Sequence, residues 1–246
     1  MRFLILSDIH SNLSALQAVL ADADGQYDRI VCLGDIVGYG AEPNEVTAWV
    51  RQHVDSIVRG NHDKASSGDP CLQDFNPAAA AAAAWTRQVL EPTNLEYVRN
   101  LPPGPRDAGG FCLSHGSPRD EDEYIVTRQD AIELQRELPS EICFFGHTHI
   151  QVGFGLRPGR AWLLVPPPYH QQERVYELEP DACYLLNPGS VGQPRDADPR
   201  AAYAIFDHPA KLLRLRRTPY DILTTQQRIL EAGLPPVLAE RLSLGR

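Results

Sequence analysis

Five short apolar runs in the first 150 residues each end in a polar cluster. Phe3-Leu4-Ile5-Leu6 leads into Asp8-Ile9-His10, and Ile30-Val31-Cys32-Leu33 into Gly34-Asp35. Ile57-Val58 leads into Gly60-Asn61-His62-Asp63, and Phe111-Cys112-Leu113 into His115-Gly116. Ile142-Cys143-Phe144-Phe145 leads into Gly146-His147-Thr148-His149. Continuous apolar runs of this length, rich in β-branched residues, read as strands buried on both faces. In open α/β sheets ligands bind beyond the carboxyl ends of such strands. Five polar motifs at five strand ends are therefore expected to converge on one site.

Helical patterns fill the gaps. Asn12 is placed to cap a helix with Leu13, Leu16 and Leu20 on one face. A second helix is predicted over Glu45 to His53, after Pro43-Asn44. A third follows Asn76-Pro77, where seven alanines precede Trp85. Asn caps well, Pro suits the first turn and Ala has the highest helix propensity. Trp85, Val89 and Leu90 are its expected anchors. From residue 150 the pattern turns to hairpins: Val152 to Phe154 with Ala161 to Val165, and Ala202 to Phe206 with Leu212 to Arg216. A second sheet packed on the first is the expectation. Two short helices follow Thr225, broken at Gly233-Leu234-Pro235-Pro236 and carrying apolar residues but no motif. Their expected role is in folding. With no repeat or linker, residues 1–246 read as one domain.

Composition narrows the functional classes. The chain of 246 residues is 43% hydrophobic and 22% charged, as in ordinary globular proteins. Its net charge of −9 argues against non-specific nucleic-acid binding. It leaves a phosphorylated substrate open, since bound metal ions reverse the local sign. Five cysteines with no C-x-x-C pairing point to free thiols in a reducing cytoplasm, and all but Cys71 lie in strand-like runs. No apolar stretch is long enough for a signal-peptide core or a membrane span.

The motif residues Asp8, His10, Asp35, Asn61, His115, His147 and His149 offer two carboxylates, one amide and four imidazoles. Such mixed donors suit Mn, Fe, Zn or Ni better than Ca or Mg. Seven are too many for one open tetrahedral site and enough for two ions sharing a carboxylate. Paired ions about 3.5–4 Å apart clamp the attacking and leaving oxygens of a displacement at phosphorus.

The ordered set Asp-x-His, Gly-Asp, Gly-Asn-His-Asp, a lone His and Gly-His-x-His resembles the signature of calcineurin-like metallophosphoesterases. The segments Gly34 to Gly40, Ser114 to Arg119 and Asn187 to Gly192 look like its compact bacterial, YfcE-like branch. The resemblance implies an α/β fold of two mixed sheets packed face to face, with helices on both outer sides. It implies one metal on Asp8, His10, Asp35 and His149, and a second on Asp35, Asn61, His115 and His147, with a bridging hydroxide as nucleophile. His62 would be the general acid, or stabilise charge on the leaving oxygen, and Asp63 would orient its imidazole. Ser11 stands where many relatives carry Gly, a change expected to affect backbone freedom more than ligation.

Rival readings remain at this point. Some relatives, including a retromer subunit, use the fold as a protein-interaction scaffold, and others within the enzyme class act on dinucleoside polyphosphates or phosphoproteins. Retention of His62 beside Asn61 favours an enzyme. Arg119 and Arg195 are candidates either for bidentate contact with a substrate phosphate or for surface ion pairs. His53, His170 and His208 match no motif, and Ser117 and Ser190 lie in no nucleophile elbow. Substrate choice is assigned to the loops 38–43, 64–76 and 119–124. The acidic run Asp120-Glu121-Asp122-Glu123 in the last reads as solvated surface.

Overall fold

The computed structural model describes residues 1–68 and 75–246. Cys71 and most of the tip of the 64–76 loop lie outside the described residues. The first half runs β1 (Arg2–Leu6), α1 (Leu13–Ala23), β2 (Arg29–Cys32), α2 (Pro43–His53), β3 (Ser56–Ile57) and α3 (Asn61–Ser67). It continues through α4 (Pro77–Val89), α5 (Pro92–Arg99), β4 (Arg106–Asp107), β5 (Cys112–Leu113), α6 (Arg128–Leu134) and β6 (Ile142–Phe144). Then come β7 (Val152–Arg157), β8 (Arg160–Leu164), β9 (Glu173–Glu177), β10 (Cys183–Asn187), β11 (Ala201–Asp207) and β12 (Leu212–Thr218). Two short helices, α7 (Ile222–Glu231) and α8 (Pro236–Glu240), precede a terminal 3-10 turn, Arg241–Leu244.

The strands form two six-stranded mixed sheets, in the orders β3-β2-β1-β11-β12-β9 and β4-β5-β6-β10-β7-β8. In the first, β1 runs parallel to β2 and antiparallel to β11. In the second, β10 runs parallel to β6 and antiparallel to β7. The second half of the chain is therefore not a sheet of its own, as the hairpin pattern suggests. Its strands complete both sheets. Hairpin pairing is a local property, whereas the sheet a hairpin joins depends on which half-built edge it meets.

Alternating side chains divide the burial. Phe3, Ile5, Val31, Ala204, Phe206 and Leu213 face Leu113, Ile142, Phe144, Tyr184 and Leu186 in the core between the sheets. Leu4, Leu6, Ile30, Cys32, Tyr203 and Ile205 turn outward, to a layer with Leu16 and Val19 of α1 and Val46 and Val50 of α2. Ala131 and Leu134 of α6 cover the outer face of the other sheet through Cys143, Phe154 and Leu185. Strands buried on both faces explain why their sequences are continuously apolar.

The predicted caps are present. Asn12 Oδ1 accepts from Ala15 N at 3.0 Å, and Asn76 Oδ1 from Ala79 N at 3.0 Å. Helix α2 begins at Pro43, two residues before the expected start, because Pro is preorganised for the first turn. Of the expected anchors of the alanine helix, Leu90 is buried and Trp85 half-buried, whereas Val89 is exposed; Ala79, Ala82, Ala83 and Thr86 are buried as well. Ala79 and Ala82 share a buried cluster with Tyr39 and with Ile229, Leu234, Leu238 and Leu242 of the C-terminal elements. No helix among the described residues is long and apolar enough to cross a membrane.

The C-terminal elements thus share a core with Tyr39, which lies beside the site. Leu238 is 1% exposed. Leu238→Ala should lower unfolding free energy by about 2–5 kcal/mol, read by urea denaturation. A loss under about 0.5 kcal/mol, the range of neutral surface changes, would show that the tail does not share the core.

Candidate metal centre and substrate cleft

The polar motifs meet because the backbone turns abruptly where each strand ends. Asp8, His10, Asp35, His147 and His149 all have positive φ, between 50° and 66°. For residues with a Cβ this left-handed region costs energy, and such strain concentrates at functional sites. Ser11 also has φ 52°, so this residue too holds the left-handed backbone despite its Cβ. Gly60 is needed for a different reason: a Cβ there would lie 2.0 Å from Asp35 Oδ1. At Gly146 it would lie 2.1 Å from Ser7 Oγ.

Two buried aspartates share one arrangement. Asp35 Oδ1 accepts from His62 N at 2.8 Å, and Asp8 Oδ2 from His147 N at 3.3 Å and from Ser7 Oγ. Their other oxygens, Asp35 Oδ2 and Asp8 Oδ1, are buried without a hydrogen-bond partner. Imidazole nitrogens surround those oxygens. His149 Nε2 is 3.3 Å from Asp8 Oδ1, and His10 Nε2 and His115 Nε2 are 3.6 Å and 3.4 Å from Asp35 Oδ2. Asn61 Oδ1 lies 3.2 Å from His115 Nε2.

Each ring is oriented from behind. The Nδ1 atoms of His10, His115 and His149 donate to the carbonyls of Val37, Leu33 and Gln193 at 3.0, 2.7 and 2.6 Å. That fixes the tautomer and leaves each Nε2 as a lone pair. The Nε2 atoms of His10 and His149 then face each other at 3.1 Å. Two bare lone pairs at that distance repel, whereas nitrogens sharing one tetrahedral ion at about 2.0–2.1 Å stand about 3.3 Å apart. His147 Nε2 meets Asp122 O at 3.1 Å, and its ring stacks on Tyr124.

Electrostatics agree with a site for cations. Burial drives His147 down to about 3 and His10 well below its ordinary value, so these rings are neutral donors. Burial also opposes charge on His115, yet the Asp35 carboxylate outweighs it and raises His115 to about 10. Asp35 thus draws a cation to His115 Nε2, a metal ion or, in its place, a proton. Two groups of donor atoms, each lying within 4.8 Å of one another, fit metal ions: Asp8, His10, Asp35 and His149, and Asp35, His115 and His147. Asp35 belongs to both, and the orphaned carboxylate oxygens and facing lone pairs are the physical reason the fit is good.

The model of the calcineurin-like phosphoesterase superfamily domain matches residues 1–211. The chain belongs to that superfamily. A metallophosphoesterase from Sphaerobacter thermophilus is 41% identical and superposes with a TM-score of 0.87, covering 100% of this chain and 99% of that one. The uncharacterized protein MJ0912 of Methanocaldococcus jannaschii is 37% identical over 246 residues, 98% of this chain and 97% of that protein. The hypothetical protein PH1004 from Pyrococcus horikoshii OT3 shares the fold, with a TM-score of 0.77 at 20% identity over 100% and 98% of the two chains. The two mixed sheets are thus a calcineurin-like phosphoesterase fold, and the protein is a metal-dependent phosphoesterase.

Around the phosphoesterase cluster lies a cleft of about 270 Å³. Each loop assigned to specificity contributes to its wall: Tyr39 from the first, Phe75 and Asn76 from the second, Asp122 and Tyr124 from the third. His62 also lines it, with its ring 4.2 Å from that of Tyr39 and 4.6 Å from that of Phe75. Arg195 lines it as well, its Nη2 donating to Tyr39 Oη at 3.1 Å and Gln193 Oε1 at 3.2 Å.

Two expectations need correction, those for Asp63 and for the acidic run, and Arg119 takes the second of its two readings. Asp63 does not touch the His62 ring: its carboxylate accepts from the backbone N–H groups of Asp35, Ile36, Val37 and Gly60 at 2.8–3.3 Å. His62 Nδ1 is buried without a partner. Asp63 follows His62 in α3, so its carboxylate points back to the Gly34 loop and the imidazole points to the cleft. Arg119 pairs with Glu123 and, at 3.4 Å, with Glu137, away from the cleft lining. It is a surface ion-pair residue. The acidic run is also not plain solvated surface. Glu121 pairs with Arg59 and Lys64, and Asp122 with Lys64. Sequence reading missed Arg241, which walls the cleft from the C-terminal turn; no motif surrounds it, and only folding brings it there.

Asp63 therefore clamps the loop that carries Asp35. In Asp63→Asn an amide NH2 meets backbone N–H groups and half of the bonds are lost. Stability should fall by about 1–3 kcal/mol, and the metal-loaded protein should lose its ions faster to a chelator. Unchanged thermal midpoint and unchanged metal retention would contradict the clamp.

Proposed function

We propose that this phosphoesterase cleaves small phosphorylated substrates with two divalent transition-metal ions, drawn from Mn, Fe, Zn or Ni. Asp8, His10, Asp35 and His149 would hold one ion. Asp35, Asn61, His115 and His147 would hold the other. The observation that carries this reading is the pair of buried, unpartnered carboxylate oxygens, each facing imidazole lone pairs. When bound, such ions polarise a phosphoryl oxygen and make water nucleophilic near neutral pH.

The chain's own residues supply the rest. The cleft presents His62 beside the donor cluster, 4.8 Å from the ring of His10. Burial pushes His62 down to about 3, so its imidazole is neutral and carries one N–H. We assign that N–H to the leaving oxygen, where it stabilises developing charge; to act as general acid the ring first takes up a proton, becoming imidazolium, and returns to neutral imidazole on donating it. Tyr39 and Phe75 pack against the ring and limit water around it. A scaffold would need no unpartnered imidazole in an open cleft, so the enzyme is favoured over the interaction module. A reducing cytoplasm is the proposed compartment, supported by the free Cys32, Cys112, Cys143 and Cys183 in or beside strands.

His62→Ala tests the assignment by leaving group. Hydrolysis of an alkyl ester, whose leaving oxygen needs a proton, should fall by about 10²–10⁴-fold in kcat/KM. A nitrophenyl ester should lose far less, with metal content unchanged. Equal losses on both esters would remove His62 from that role. Metal-loaded protein inactive on a panel of monoesters, diesters, dinucleoside polyphosphates and phosphopeptides would overturn the hydrolytic reading itself.

A further inference from the structure

The cleft has a second cationic feature that the metal cluster does not explain. Arg241, in the C-terminal 3-10 turn, lays its guanidinium over the Tyr39 ring at 4.3 Å. Arg195 approaches the same ring at 5.8 Å while bonding its hydroxyl. Both side chains wall the same cleft as Asp35, Asn61, His147 and His149. Among the described residues neither guanidinium has a carboxylate partner. Among the described residues, the carboxylates lining that cleft are Asp35, inside the donor cluster, and Asp122, whose Oδ1 is bonded to Lys64 Nζ at 2.7 Å.

Arg241 is the more unusual of the two. Its Nε and Nη2 are buried and have no hydrogen-bond partner. An Arg carries five donors in a flat fork suited to phosphate, and burying them unpaired is costly. Burial, with the nearby charge of Arg195, pulls Arg241 down to about 10. At neutral pH it therefore remains a cation beside another cation. The turn that carries it is tied down: Gly245 O accepts from Ala197 N at 3.0 Å, and Arg246 O from Gln193 Nε2 at 2.9 Å. The fold thus holds two like charges together in the cleft wall, with no carboxylate paired to either among the described residues.

We propose that Arg241 and Arg195 hold a second phosphoryl group of the substrate, so that the preferred phosphoester is a diphosphate or polyphosphate rather than an ester with a single phosphorus. The inference rests on the reading of the donor cluster as the centre that takes the first phosphoryl group. Tyr39 sets the spacing, because both guanidiniums are fixed to it. Phe75 and Tyr124, which also line the cleft, supply apolar wall for the organic part of the substrate.

The test compares two non-hydrolysable probes, methylphosphonate and methylenediphosphonate, by calorimetry on the metal-loaded protein. The wild type should prefer the diphosphonate. Arg241→Gln should weaken diphosphonate binding by about tenfold or more beyond any effect on methylphosphonate, the range expected for losing a charge-assisted bond. Arg195→Gln should shift the same ratio, and Arg241→Lys, which keeps the charge and packs similarly, should recover part of it. Equal effects of Arg241→Gln on both probes, or none on either, would overturn the proposal. A diphosphonate preference that Arg241→Gln removes, in a protein that hydrolyses no ester, would sink the hydrolytic reading and leave this one standing. Ester hydrolysis with no such preference would do the reverse.

Discussion

Asp35 is buried at 1% exposure, with one carboxylate oxygen bonded to the His62 amide and the other left bare among imidazoles. Keeping a carboxylate there against the cost of desolvation is the constraint that most of the site serves. Asp35 raises the His115 ring against burial, so that its Nε2 attracts a cation, and Asp35 in turn stays well below the usual carboxylate range. Gly60 gives it room, and Asp63 anchors its loop through four backbone bonds. The left-handed backbone at Asp8, His10, Asp35, His147 and His149 is the strain that aims the donors inward. The apolar strands on either side hold that strain in place.

Much of this is legible in sequence because it is local. A strand ending in Asp-x-His or Gly-His-x-His carries its polar residues at the turn that the apolar run must make. Asn12 and Asn76 announce their helices by chemistry that operates within three residues. What local signals leave undetermined is pairing across distance. The hairpins β7-β8 and β11-β12 are readable, but their assignment to different sheets is set by the edges left by β10 and β1. Asp63 shows the same limit at the scale of one residue. Its place beside His62 suggests a partner for the imidazole, whereas a helical turn sends adjacent side chains in different directions.

The cleft is the least legible part. Tyr39, Phe75, Tyr124, Arg195 and Arg241 come from five separate segments, and none belongs to the metal-binding motifs. Arg195 follows a motif-like segment and is open to two readings, of which the structure favours the cleft. Arg119 follows another and falls to the surface ion pair. Both sit in similar local sequence, so position in the fold separates them. The C-terminal helices join packing to chemistry: the same elements that bury Leu238 and Leu242 in the cluster around Tyr39 bring Arg241 over its ring.

The central claim is that one carboxylate, Asp35, is shared by two ions. Anomalous diffraction from crystals of the metal-loaded protein, with elemental analysis of the same sample, tests it most directly. The account predicts two ions per chain, about 3.5–4 Å apart, with a carboxylate oxygen of Asp35 between them. A single ion at saturating metal, or two ions that do not both contact Asp35, would contradict it.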